Sequence, residues 1–126
     1  MTYVIAGAGP AGGIAAETLR KNNPDCEIML IGDEPEPPYS RMAIPYFMAG
    51  NIMEAGTHLR KSKNHYDDRA IKYIQDRVES VKPQDGQLTL QGGEKQAFDK
   101  LLVATGASAV KPPVSGLDLS GVHHCW

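Results

Sequence analysis

The chain has 126 residues, with 13 Lys+Arg against 15 Asp+Glu and a formal net charge of −2. This length fits one domain, and the near-neutral balance without a dominant basic cluster argues against nucleic acid or an anionic membrane surface as a partner. No apolar run approaches the roughly 20 residues of a membrane span, and the first apolar stretch lacks a charged lead and is broken by glycines, so it reads as a strand rather than a signal peptide.

Residues 2–6 read as a buried parallel strand, and Gly7-Ala8-Gly9-Pro10-Ala11-Gly12 follows at once. Residues 10–22 predict a helix, terminated by Asn22-Asn23-Pro24. Residues 27–32 are a second strand, nearly all apolar as in a sheet covered on both faces, and it ends in Gly32-Asp33-Glu34. The loop to Tyr39 is stiffened by Pro35, Pro37 and Pro38. Arg41 to Met48 predicts a short helix that Pro45 limits and Gly50 ends. Ser62 to Arg69 predicts another, with Ser62 as its N-cap, leading into a parallel strand at 71–74.

The pattern then changes. Val78 to Val81, Leu88 to Leu90 and Gln96 to Phe98 are short β-prone runs separated by Pro83-Gln84-Asp85-Gly86 and Gly92-Gly93, the signals of an antiparallel meander. Lys100 to Ala104 is an apolar strand ending in Thr105-Gly106, and Val122 to Trp126 is expected to be a closing strand. The fold class is therefore α/β: a Rossmann-like parallel sheet with helices and an inserted three-stranded antiparallel β-meander. There are no repeats, low-complexity tracts or linkers.

Strand, tight turn, helix, strand and terminal acid, in that order, are the parts of a dinucleotide-binding unit. Gly7 permits the sharp turn, Gly9 lets backbone approach a pyrophosphate, and Gly12 lets helix and strand pack closely. Pro10 suits the first helical turn, where its missing N–H loses nothing. The free amides and positive end of the helix face the phosphates. Asp33 stands about 20 residues past Gly12, the spacing of an acid that accepts hydrogen bonds from a ribose. A β-meander in place of one crossover is more typical of flavin-binding domains than of NAD dehydrogenases, which favours FAD.

Cys26 and Cys125 are the only cysteines, and neither belongs to a Cys-x-x-Cys or metal-spaced set. Both read as reduced thiols. His123-His124 are neighbours whose side chains would diverge on a strand, and no third ligand stands at metal spacing; no metal site is expected.

Four spaced segments carry a family resemblance: Gly7 to Gly12, Gly32-Asp33-Glu34-Pro35, Pro38-Tyr39-Ser40-Arg41, and Leu102-Val103-Ala104-Thr105-Gly106-Ala107. Together they resemble the FAD-dependent pyridine nucleotide-disulfide oxidoreductases, nearest to rubredoxin and ferredoxin reductases and the FAD part of NADH nitrite reductase large subunits. The resemblance implies that Gly7, Ala8, Gly9, Pro10, Ala11 and Gly12 bind the FAD pyrophosphate, and that Asp33 holds the adenosine ribose, with Glu34 as the alternative. It further implies that Arg41 pairs with FAD phosphate, that Val78 presents its backbone to the adenine, and that Ala104, Thr105 and Gly106 pack against the cofactor. Two features depart from the family. Ile44-Pro45-Tyr46 stands where many relatives carry a flavin-approaching lysine, leaving Tyr46 as either a flavin contact or a core residue. The redox-active cysteine pair is absent, so the flavin would pass electrons to a separate acceptor.

The family normally continues into an NAD(P)H domain with a second Gly-rich fingerprint, returns to the FAD domain, and ends in a dimerisation domain that makes a homodimer. Residues 1–126 correspond to its N-terminal FAD-binding portion only. The expectation is an FAD-binding part of an NAD(P)H-dependent oxidoreductase, inactive alone and cytoplasmic, with a small redox protein or downstream redox centre as acceptor. The alternatives are a non-catalytic module for FAD, ADP or NAD and, well behind, a stand-alone NAD-dependent dehydrogenase.

Overall fold

The structure, a computed structural model, describes residues 1–36, 38–62 and 64–123. Four parallel strands form the central sheet: β1 (Thr2–Ala6), β2 (Glu27–Gly32), β3 (Ile71–Gln75) and β7 (Lys100–Val103), in spatial order β3-β2-β1-β7. Helix α1 (Pro10–Asn22) connects β1 to β2. Between β3 and β7 the chain forms β4 (Val78–Lys82), β5 (Gln87–Leu90) and β6 (Lys95–Ala97), an antiparallel sheet in order β4-β5-β6. The meander therefore stands as the sequence predicts, in place of a helical crossover.

Side-chain alternation along β2 explains the layering, because successive residues face opposite sides of a sheet. Ile28 and Leu30 join Ile5, Ala16, Tyr66 and Ile71 under α1. Met29 and Ile31 join Val4, Leu88 and Leu90 under the meander. A strand with both faces covered needs the unbroken apolar run that β2 has. α1 comes close to the sheet because Gly12, Gly13 and Ala16 form its buried side. A Cβ at Gly13 would stand 3.0 Å from the Tyr66 hydroxyl.

One guanidinium ties the loops at the far end of α1. Arg20 donates to the carbonyls of Pro24 and Cys26 through Nη1 (2.6 and 2.8 Å), Arg69 through Nε (2.9 Å) and Ala70 through Nη2 (2.7 Å). These bonds satisfy backbone acceptors at the entries to β2 and β3.

Three predicted elements differ. Among the described residues of the helix predicted from Ser62 to Arg69, Ser62 starts no helix and the regular part is a 3₁₀ turn at Asp67–Arg69 that ends at Ala70, whose φ of +51° is left-handed. The segment is drawn sideways onto α1: the Nε2 of His65 lies 2.7 Å from Glu17 Oε1, and the Arg69 carbonyl accepts from Arg20 Nε at 2.9 Å. Those tertiary contacts outweigh a weak helical propensity. The closing strand is also absent at Val122 and His123, which follow the turn at Gly121, where φ is +87°; residues 124–126 lie outside the described residues. The predicted helix at 41–48 divides into a 3₁₀ turn at Arg41–Ala43 and α2 (Ile44–Met48), with Gly50 left-handed behind it.

Candidate functional site: a cleft along the carboxyl ends of the sheet

The fingerprint glycines have three different environments. Gly7 has a φ of +113°, and a Cβ there would lie 2.2 Å from the Ala104 carbonyl oxygen. A Cβ on Gly12 would lie 1.8 Å from the Gly7 carbonyl oxygen. Both positions are closed by the protein's own backbone, so only glycine fits. Gly9 is the opposite case: an ideal Cβ meets no atom within 4 Å. Its backbone, at φ −67° and ψ −174°, is ordinary extended chain. Glycine at position 9 leaves open space, not a packing contact.

That space faces the start of α1. No side chain caps this helix, Pro10 occupies its first turn, and the first helical bond runs from Gly13 N–H to the Gly9 carbonyl at 2.9 Å. The Ala11 and Gly12 amides precede that bond and have no intrahelical acceptor. The turn itself is held by Gly7 N–H to the Ile31 carbonyl (2.8 Å) and Ala104 N–H to the Ala6 carbonyl (2.7 Å).

A cleft of about 730 Å³ runs from this turn along the ends of the strands. Of the residues predicted from sequence, Gly7, Ala8, Gly9, Pro10, Ala11, Asp33, Glu34, Arg41, Val78, Ala104, Thr105 and Gly106 all line it. Gly12 does not; it lies behind, against Gly7. Its role is the close packing of helix and turn. Tyr46 is 59% exposed, so it is not the core residue that was one of its two readings.

The carboxylates are distinguished by their neighbours. Arg41 Nη2 donates to Glu34 Oε1 at 2.5 Å. Burial alone would lower the Arg41 pKa, but its bonds to Glu34 and Tyr39 outweigh this and raise it. The hydrogen bond to Glu34, with burial, pushes the Tyr39 phenol up. Asp33 is exposed and makes no hydrogen bond or ion pair with a described residue. Tyr73 lies beneath both acids; burial first, then the charges of Asp33 and Glu34, raises its pKa. Tyr39 and Arg41 are set at the cleft by a short ribbon: Ser40 N–H to the Thr57 carbonyl (2.8 Å), Leu59 N–H to the Pro38 carbonyl (2.9 Å) and an antiparallel bridge between Tyr39 and His58.

Sequence reasoning overlooked several lining residues. Gly32 allows Ala8 to approach, since a Cβ there would meet the Ala8 Cβ at 2.5 Å. Its position at the end of an apolar strand before an acid was the available signal. Tyr73, Asp76 and Arg77 also line the cleft, and nothing in their local sequence separates them from ordinary strand and turn residues. Among the described residues no group of three or more His, Cys, Asp or Glu is placed to hold a metal ion. Cys26 is a free thiol whose Sγ lies 3.0 Å from the Asn23 carbonyl; Cys125 and His124 lie outside the described residues.

Comparison with known proteins matches residues 1–125 to the family described as pyridine nucleotide-disulphide oxidoreductase. The chain belongs to that family. The pyridine nucleotide-disulphide oxidoreductases are FAD-dependent enzymes with NAD(P)H as co-substrate. An NADH oxidase of Methanocaldococcus jannaschii is 35% identical over 128 residues, covering 97% of this chain and 29% of that protein. The ferredoxin–NAD(+) reductase component of a 3-phenylpropionate/cinnamic acid dioxygenase from Photorhabdus laumondii is 34% identical over 113 residues, covering 90% and 29% respectively. In three dimensions the chain resembles the crystal structure of a ferredoxin reductase from Rhodopseudomonas palustris, with a TM-score of 0.87 and 32% identity over 96% of this chain and 30% of that one. The chain thus spans less than a third of the length of these family members.

Proposed function

We propose that this chain is the FAD-binding part of an NAD(P)H-dependent flavoprotein oxidoreductase that passes electrons to a redox protein. The observation that carries the reading is the open space at Gly9, beside uncapped α1 amides and inside a cleft lined by nearly every residue the motif predicts. The space suits an anionic pyrophosphate chemically, because backbone N–H groups and the helix dipole favour an anion there. In this reading the rest of the ligand follows the sheet order. The end of β1 and the start of α1 take the diphosphate, the end of β2 takes the ribose, and the end of β7 (Ala104 to Gly106) leads toward the flavin. Asp33 is the ribose acceptor, since Glu34 is engaged by Arg41 and Tyr39. Arg41 reaches the phosphates by exchanging Glu34 for a phosphate oxygen, a forked donor suited to either partner.

When bound, the flavin supplies hydride acceptance and onward electron transfer; the protein supplies position and electrostatics. No acid or base in this cleft is assigned to the chemistry. The chain works inside a larger, cytoplasmic protein whose other parts bring NAD(P)H and the acceptor. Its spanning under a third of its relatives supports this, as does the β7 edge, where Leu102 and Val103 are 43% and 65% exposed. No helix among the described residues is long and apolar enough to cross a membrane.

The test is an absorbance and fluorescence titration of the purified chain with FAD. Saturable flavin binding with ADP as a competitor is the expected result, together with no NADH oxidation in the presence of a dye acceptor. A protein that takes up ADP or NAD but never FAD would overturn the flavin assignment.

A further inference from the structure

The adenine end of the cleft holds an arginine that the reading above leaves without a task. In the sheet order β3-β2-β1-β7, the strand beyond the ribose-binding end of β2 is β3. An adenine whose ribose reaches Asp33 and whose diphosphate rests on α1 must therefore lie over the end of β3. Arg77 stands there, between β3 and β4, and lines the cleft together with Val78.

Its backbone is fixed from both sides. The Arg77 N–H donates to Asp76 Oδ1 at 2.6 Å, and its carbonyl accepts the Gln91 N–H at 2.8 Å. Asp76 is itself anchored, its N–H donating to the Gly32 carbonyl at 3.0 Å and its Oδ2 accepting the Gly92 N–H at 3.2 Å. Arg77 is an exposed residue, and its guanidinium makes no hydrogen bond or ion pair with a described residue. Arg20, Arg41 and Arg60 all have protein partners. A planar cation on a fixed backbone, beside the site of an aromatic base, is suited to stacking on that base.

We propose that Arg77 covers the adenine ring of bound FAD and makes the cleft select adenine-containing ligands over FMN. This rests on the FAD reading of the cleft. The test titrates wild type, R77A, R77K and R77W with FAD, ADP and FMN, and records thermal melting of each variant. R77A should bind FAD and ADP about tenfold more weakly, the same factor for both ligands. R77K should lose most of that affinity, because it keeps the charge and not the plane, whereas R77W should retain it. FMN should bind all four proteins alike, and melting should be unchanged. R77A binding FAD as tightly as wild type, or R77K matching wild type with a salt-dependent affinity, would overturn the stacking role and leave the FAD reading standing. A wild-type chain that binds neither FAD nor ADP would overturn the cleft assignment and this inference with it.

Discussion

The three fingerprint glycines make a prediction in which folding and binding separate. At Gly9 a valine side chain enters space that no protein atom occupies within 4 Å of the Cβ, on a backbone any residue adopts. Its folding cost is the lost N-cap preference, about 1 kcal/mol, a fall of roughly 4 °C in melting temperature for a domain of this size. For the ligand the same side chain is a direct obstruction. It excludes the diphosphate from two amides, and charged hydrogen bonds are worth about 1.5–3 kcal/mol each, so affinity should fall by roughly 10²–10⁴-fold. Gly12→Ala is the converse, since its methyl would stand 1.8 Å from the Gly7 carbonyl oxygen. That overlap forces α1 off the sheet and should destabilise the chain by about 3 kcal/mol or more. Circular dichroism melts paired with FAD titration read both effects. A Gly9→Val chain that binds FAD like wild type would refute the anion site, and one that does not fold would refute the claim that the space is open.

Two further predictions concern the layer beneath α1. Burial raises the Glu17 pKa, but hydrogen bonds from Arg60 and His65 and their charges outweigh it, so the carboxyl titrates below its ordinary range. A depressed carboxylate stabilises the fold above its unfolded pKa, and that contribution disappears as pH falls through the folded one. With these side chains 15–28% exposed, Glu17→Gln should cost about 1–2 kcal/mol at pH 7 and progressively less below pH 4; a cost that does not change with pH would contradict the pairing. The Tyr66 hydroxyl is buried with no hydrogen-bond partner among the described residues. Tyr66→Phe should then leave stability unchanged or raise it by up to about 1 kcal/mol, and a loss above about 1.5 kcal/mol in denaturant melts would show that the hydroxyl is satisfied.

Much of this organisation was legible in the sequence because local rules and tertiary structure agree. The apolar run Ile28 to Ile31 demands cover on two faces, and the structure supplies α1 on one and the meander on the other. The turn pairs Asp85-Gly86 and Gly92-Gly93 mark the hairpins where they fall. The described residues between Ser62 and Arg69 depart from their helical pattern because long-range partners hold them, Glu17 on α1 and the Arg20 guanidinium at the exit. Tyr73 and Arg77 were not legible for a related reason: only the strand order places the end of β3 beside the end of β2. The pairing of Arg41 with Glu34 likewise depends on the ribbon formed by residues 38–40 and 57–59, which no local pattern announces.

The central claim is that the first turn of α1 is an anion site, and amide chemical shifts read it directly. On titration of the chain with ADP, the Gly9, Ala11 and Gly12 amides should show the largest saturable shifts, with a smaller set at Asp33 and Val78. Shifts confined to another surface, or none at these amides while ADP binds, would contradict the account.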